Sequence, residues 1–442
     1  MVIQLSDHFD YKRLIKFTMP SIMMMVFISI YGVVDGFFVS NFVGKIPFTA
    51  VNFIMPLLMM FGTVGFMFGA GGSALIAKTL GEGQKQKAQG LFSMLVLITG
   101  GLGLLFSILG IVFIEPIARL LGAEGQMLSD SVVYGRILLL SLPFLIYQFE
   151  FQFFFITAEK PKLGLISTVA AGITNMVLDA LFTAVFPFGL IGAAAATSIS
   201  QFVGGVIPLI YFSRENTSLL RFCKPQMKMR SFLKVCTNGS SELMSNISMS
   251  VVNMLYNIQL LEYAGENGVA AYGTIMYVNL FFLAIFIGYS TGVSPVISFH
   301  FGAKNTNELK NLFGKSLKII GASSVFMLIF SILLSKPLSM IFVGYDKELL
   351  NLTVRAFYIY SFSFLFAGIS ILGSAFFTAL NDGLTSALIS FLRTLLFQIA
   401  AVLLFPIIWG IDGIWLSIVA AEVMSVIVTA VFLIVKRKKY NY

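Results

Sequence analysis

Asp35 and Asp179 are carboxylates set inside long apolar stretches, where an ionisable side chain is costly and by default signals function. Asn175 lies four residues before Asp179, on the same face of a helix. Thr197 follows in the next apolar stretch. Two carboxylates, an amide and a hydroxyl supply oxygen ligands for a hard cation such as Na⁺. The same pair sharing a proton would serve H⁺ instead. The plainer reading is that these groups bond helices together, and Thr197 fits that role as well as it fits a ligand. Other acids within the apolar stretches are Glu150, Glu242 and Glu422. Glu422 is placed to pair with Arg393 across neighbouring helices. Glu242, near the start of its helix, could contact a substrate or reach interfacial water.

The stretches that carry these residues set the class. Hydrophobic residues make up 58% of the 442-residue chain and charged residues 11%, against roughly 45–50% and about 25% in soluble domains. Spans of about 20 residues are long enough to cross a bilayer. Twelve are expected, near 14–40, 50–78, 90–113, 131–157, 163–186, 191–213, 237–262, 270–299, 316–335, 352–378, 384–407 and 412–435. The expected fold is an all-α integral membrane protein. The polar N-terminus lacks the small-residue cleavage site of a signal peptide.

The chain is also one segment written twice, 221 residues apart. Pro116 matches Pro337, Thr157-Ala158 matches Thr378-Ala379, and Gly189-x-x-Gly192 matches Gly410-x-x-Gly413. Gly44, Gly71 and Gly81 match Gly265, Gly292 and Gly302 without a slip. The expected domains are two six-helix bundles, residues 1–220 and 221–442, related by a pseudo-twofold axis along the membrane normal. At this offset Asp35 faces Tyr256, Asn175 faces Leu396, Asp179 faces Ala400 and Thr197 faces Ile418. A purely structural role would more naturally be shared by both copies, so the first half reads as the ion-handling half.

Lysine and arginine collect after the even-numbered helices and at both termini, and this bias accounts for the net charge of +9. The basic side of a membrane protein is cytoplasmic, so both termini are expected inside, in a multi-pass protein of the plasma membrane. A nucleic-acid reading fails because no segment could present a groove-reading element. Cys223 and Cys236 lie at or beside the basic linker of residues 213–234 and should stay reduced. His8 and His300 have no partner that suggests catalysis.

Ile30-Tyr31-Gly32-Val33-Val34-Asp35, Asn175-x-x-x-Asp179 and Gly189-x-x-Gly192-Ala193-Ala194-Ala195-Ala196-Thr197, in this order and spacing, resemble the multidrug and toxic compound extrusion (MATE) transporters. The resemblance covers nearly the whole chain. It implies that Asp35, Asn175, Asp179 and Thr197 form a cation site in the N-terminal lobe, and that organic, often cationic compounds leave in exchange for Na⁺ or H⁺. Three positions depart from the family pattern: Ala180 replaces a Pro, Ile156 replaces an Arg, and the seventh helix opens on Asn238-Gly239-Ser240-Ser241-Glu242.

The expectation is therefore a monomeric antiporter in the lipid bilayer, with a small organic substrate, a coupling cation and no cofactor. Met55, Met59, Met60, Phe61, Tyr147 and Glu242 are candidates for substrate contact, through apolar and cation–π interactions. Pro20 and Gly32 are positions where the first helix can bend. A lipid or saccharide-lipid flippase is the rival within transport, although such chains carry more cationic groups than are present here. An intramembrane enzyme would need a nucleophile, a His dyad or a metal cluster at depth, and none is apparent.

Overall fold

The computed structural model describes residues 3–186 and 188–442; the side chains of Ser40, Lys45, Ile46 and Phe48 also lie outside the description. Every regular element among the described residues is helical. In order they are α1 (Tyr11–Phe38), α2 (Lys45–Gly81), α3 (Lys85–Leu120), α4 (Gly125–Thr157), α5 (Pro161–Asp179), α6 (Gly189–Ser213), α7 (Met229–Gly302), α8 (Thr306–Val343), α9 (Lys347–Ser361), α10 (Phe364–Ala379), α11 (Gly383–Phe391) and α12 (Phe397–Tyr440). Three π-helical segments interrupt them: Val39–Val43, Ala180–Val185 and Leu392–Leu396.

Among the described residues, nine helices are long and apolar enough to cross a membrane, or ten if α9 and α10, bent by 46° at their junction, form one span. This is a multi-pass membrane protein. Two segments far exceed any bilayer. At about 1.5 Å per residue, the 74 residues of α7 would reach about 110 Å if straight. They are not straight, because Gly265 leaves the helical region at φ 60°, ψ −152°. In α12, Gly410 does the same at φ 57°, ψ −137°. The expected loops between 262 and 270 and between 407 and 412 are thus replaced by single-residue breaks. Such a backbone is strained for any residue with a Cβ.

These breaks repeat with the sequence. Gly44 and Gly265 have positive φ, as do Gly189 and Gly410, each pair 221 residues apart. The register slips once. The left-handed residues ending α4 and α10 are Glu159 and Asn381, 222 apart, although both turns are three residues long, 158–160 and 380–382. The helices also outrun their apolar stretches: the expected 90–113 lies inside Lys85–Leu120, and α7 begins at Met229 rather than near 237. The linker accordingly shrinks to residues 214–228.

Both termini and the turns carrying the basic residues gather at one end. There the Leu5 amide donates to Glu159 Oε1 (2.6 Å), the Phe9 amide to Glu308 Oε1 (2.9 Å) and Lys315 Nζ to the Phe9 carbonyl (2.7 Å). Asp382 caps α11 and accepts from Lys436 Nζ (2.7 Å) and the Tyr440 hydroxyl (2.8 Å). Burial works against its charge, but the hydrogen bonds from Lys436, Tyr440 and Thr385 hold its carboxyl below the usual carboxylate range. Glu159 shifts the other way, pushed up chiefly by burial.

At this end the repeats meet backbone to backbone. A Cβ on Gly81 would lie 2.9 Å from Ala303 N and closer still to the Phe299 carbonyl oxygen; a Cβ on Gly302 would crowd Lys78 in the same way. Since 302 − 81 and 299 − 78 both equal 221, the contact is reciprocal, as a twofold relation requires. Gly71 against Gly239 and Gly292 against Thr18 form a second reciprocal pair. Elsewhere the exterior is apolar, with Ile108, Ile166, Ile407 and Ile434 all exposed, as hydrocarbon surroundings demand.

Candidate functional site

Asp35 and Asp179 stand at the far ends of α1 and α5, each close to a π-helical segment. Asp179 is the last α-helical residue before Ala180–Val185, and Asp35 lies one turn before Val39–Val43. A π-bulge widens the turn and re-aims nearby side chains, which is why such bulges are frequent at functional sites. The Thr183 hydroxyl donates to the Asp179 carbonyl (2.6 Å) and satisfies part of the loosened backbone. The start of α6 packs closely here: a Cβ on Gly192 would sit 2.6 Å from the Phe182 carbonyl oxygen. That contact explains the second glycine of Gly189-x-x-Gly192, and the positive φ of Gly189 explains the first.

The four residues singled out by type and spacing come together. The Asp35 carboxyl faces Asp179, Asn175 and Thr197. Asn175 Nδ2 lies 3.5 Å from Thr197 Oγ1, at the limit of a hydrogen bond, and Thr197 itself donates to the Ala193 carbonyl (3.1 Å). Asp179 is fully buried and Asn175 nearly so. Among the described residues, Asp35 Oδ1, Asn175 Oδ1 and both carboxylate oxygens of Asp179 are buried without a hydrogen-bond donor. Buried polar atoms are nearly always paired, so such a group of orphans calls for an explanation. Four acceptor oxygens without donors form an arrangement that a proton or a hard cation would satisfy.

Tyr134 on α4 belongs to this cluster and was not anticipated. Its hydroxyl is buried and unpartnered among the described residues, beside Thr197 and facing both carboxylates. A lone Tyr in an apolar helix carries no sequence signal that separates a ligand from packing. Tyr31, part of the motif around Asp35, also lies near that carboxylate.

The second half keeps the frame and changes the chemistry. Tyr256, the counterpart of Asp35, donates its hydroxyl to Gln398 Oε1 (2.9 Å) and lies 2.9 Å from Ser417 Oγ. Nearby, Arg393 and Glu422 pair as expected: Nε lies 3.1 and 2.9 Å from the two carboxylate oxygens, and Nη2 lies 2.9 Å from Oε1. Arg393 sits in the π-helical segment Leu392–Leu396.

A cavity of roughly 260 Å³ opens in this half, with Glu242, Arg393 and Glu422 among its walls. Of the substrate candidates, Glu242 lines this cavity; it lies more than three turns into α7 rather than near its start. The others are placed elsewhere. Met55 and Phe61 pack against the first-half core, with Phe61 near Phe106, and Met59 and Met60 are exposed on α2. The Tyr147 hydroxyl donates to the Val96 carbonyl of α3 (2.9 Å). Glu150 is fully buried and accepts from the Thr99 hydroxyl (3.0 Å). Helix α1 runs through Pro20 and Gly32 without leaving helical backbone, and a Cβ on Gly32 would meet nothing within 4 Å. Among the described residues there is no cluster of three or more His, Cys, Asp or Glu side chains that could hold a metal.

Comparison with known proteins agrees with this architecture. The multidrug export protein MepA of Staphylococcus haemolyticus (strain JCSC1435) is 25% identical over 418 residues, covering 93% of this chain and 90% of that protein. MepA of Staphylococcus saprophyticus is 26% identical over 369 residues, covering 81% and 80%. Among solved structures, MATE in complex with MaL6 superposes with a TM-score of 0.93 at 21% identity, covering 98% of both chains. An outward-facing multidrug resistance MATE family transporter of the MOP superfamily gives 0.92 at 21% identity, covering 98% of this chain and 97% of that one. At these identities the structures establish the shared fold. The family model MatE matches twice, over residues 20–181 and again over 243–404. With both halves matched separately, the chain belongs to the MatE family.

Proposed function

We propose that the protein is a cation-coupled antiporter that exports organic, cationic or amphipathic compounds across the plasma membrane by alternating access. The observation that carries this reading is the cluster of four unpartnered acceptor oxygens on Asp35, Asn175 and Asp179, present in one half only. A proton or Na⁺ bound there removes repulsion between the two carboxylates and favours whichever arrangement of α1, α5 and α6 holds them closest. The family relation and the multidrug export of the MepA relatives support the choice of cargo.

In this reading the chain works as a monomer of two bundles, residues 1–220 and 221–442. Cutting α7 at Gly265 and α12 at Gly410, and joining the bent and π-linked pieces, gives twelve spans. Both termini then lie in the cytoplasm with the basic turns. The reciprocal glycine contacts close that end, and substrate enters when they part. Helix α1, hinged at Pro20 and Gly32, is the element that answers the ion.

Purified protein in liposomes decides the matter. Efflux of a panel of organic cations is measured under an imposed Na⁺ gradient and, separately, under a pH gradient. Export under one gradient that Asp179→Asn abolishes supports the proposal. Export that runs at the same rate with no gradient, or undiminished in Asp179→Asn, refutes the coupling.

A further inference from the structure

The second-half cavity carries charges that the first half lacks. At the repeat offset Glu242 corresponds to Ser21, Arg393 to Gly172 and Glu422 to Gln201, so all three charges belong to one copy. Holding an ion pair at membrane depth is expensive and needs a reason beyond helix packing. The pair is 15% and 7% exposed, so the guanidinium keeps some access to the cavity. It spends Nε and Nη2 on Glu422, whereas Nη1 donates to nothing among the described residues. Glu242 has no cation within ion-pair distance among the described residues; only its backbone carbonyl is engaged, by Asn246 Nδ2 (2.8 Å).

The wall beside them is aromatic and already satisfied. Tyr256 and Tyr272 stack with ring centroids 5.4 Å apart and planes 5° from parallel, and the Tyr272 hydroxyl donates to Asn253 Oδ1 (2.8 Å). One cavity therefore offers a free carboxylate, a guanidinium with unused donor capacity and a flat apolar surface. A ligand that is only a cation uses the carboxylate and leaves a positive group facing it. A ligand with an amine and a carboxylate uses both.

We infer that the second-half cavity is a binding site for zwitterionic organic molecules, whose ammonium group pairs with Glu242 and whose carboxylate pairs with Arg393 through its free Nη1. Glu422 holds the guanidinium in place and keeps it compensated when the site is empty. This assignment rests on the export reading and narrows its substrate class, and it is separate from the cation cluster around Asp35.

Two fluorescent probes isolate the claim: dansylcadaverine, an amine, and Nε-dansyl-lysine, which differs by its α-carboxylate. Binding of each to the detergent-solubilised full chain is measured by fluorescence. A charge-assisted hydrogen bond is a strong one, so the lysine derivative is expected to bind at least about tenfold tighter. Arg393→Gln should abolish that preference while dansylcadaverine still binds. The double variant Arg393→Gln/Glu422→Gln repeats the test without an unpaired carboxylate. Glu242→Gln should weaken both probes. Equal affinities in the parent, a preference that survives in both Arg393 variants, or no binding of either probe would overturn the inference. Gradient-driven efflux in liposomes is scored apart: its loss sinks the export reading, whereas an absent zwitterion preference with efflux intact sinks only this site.

Discussion

Replacing Gly81 by Ala should open the end of the molecule that carries both termini. The added Cβ lies 2.9 Å from Ala303 N, against an ordinary contact of 3.4 Å or more, and it also meets the Phe299 carbonyl oxygen. Both neighbours are backbone, so no side chain can swing away. The Phe299 oxygen sets the requirement: the helices must part by more than about an ångström, or the closed arrangement carries the strain of an overpacked contact, about 1–3 kcal/mol. At about 1.4 kcal/mol per factor of ten, the balance between closed and open forms moves by about 5- to 150-fold. Spin labels at Glu82→Cys and Lys304→Cys, with Cys223 and Cys236 replaced by Ser, report the separation by electron–electron resonance. A longer-distance population should grow in Gly81→Ala. Gly302→Ala should act alike, and the pair should be less than additive because both changes force apart the same contact. Gly101→Ala, where a Cβ meets nothing within 4 Å, serves as the control. An unchanged distance distribution in folded Gly81→Ala and in the double variant would refute the reasoning.

Asp35→Asn and Asp179→Asn should each abolish gradient-driven export while thermal unfolding in detergent stays near that of the parent, because their orphaned oxygens hold no packing partner; a large fall in melting temperature would argue for a structural role instead. Tyr134→Phe removes a buried hydroxyl without a partner, so stability should hold or rise by about 1 kcal/mol, while the ion concentration needed for half-maximal export shifts; export indistinguishable from the parent at every Na⁺ concentration and pH would exclude Tyr134 from the site. Asp382→Asn should cost about 1–3 kcal/mol at neutral pH through its lost charge-assisted bonds. Because the Asp382 carboxyl is held below its unfolded value, its contribution is present above the ordinary carboxylate range and vanishes as pH falls through the folded value. The gap between parent and variant melting temperatures should therefore close on acidification, and a constant gap would contradict the assignment. Glu159, shifted upward, acts oppositely: its contribution is full at low pH and is lost as pH rises, so Glu159→Gln should leave less of a pH dependence on that side.

The sequence already contained the repeat, the convergence of Asp35, Asn175, Asp179 and Thr197, and the pairing of Arg393 with Glu422. Each follows from a rule with few exceptions: a fixed offset between copies, the four-residue face of a helix, and the need of a buried charge for a partner. Tyr134 was invisible because a tyrosine in an apolar helix reads as packing until a neighbour at long sequence distance is known. The early start of α7 was hidden for a different reason. The stretch Met229–Val235 is amphipathic, and a search for apolar runs discards it even though it continues the same helix. The apolar substrate candidates fared differently from Glu242, since composition marks a residue as greasy without saying which way it points. The π-helical segments beside both carboxylates have no signature in residue type, because an extra residue in a turn is a property of the backbone alone.

The four glycines Gly44, Gly265, Gly189 and Gly410 divide the two copies into matching segments whose ends all turn on a positive φ. Between such joints, side chains were free to diverge so far that one copy gathers carboxylates where the other has a tyrosine and an arginine–glutamate pair. The joints make the molecule modular in the engineer's sense. A segment cut from one half at these glycines carries ends shaped for the corresponding gap in the other, and it brings its chemistry with it. In the proposed antiporter, two different tasks, one for the ion and one for the cargo, run on a single backbone plan.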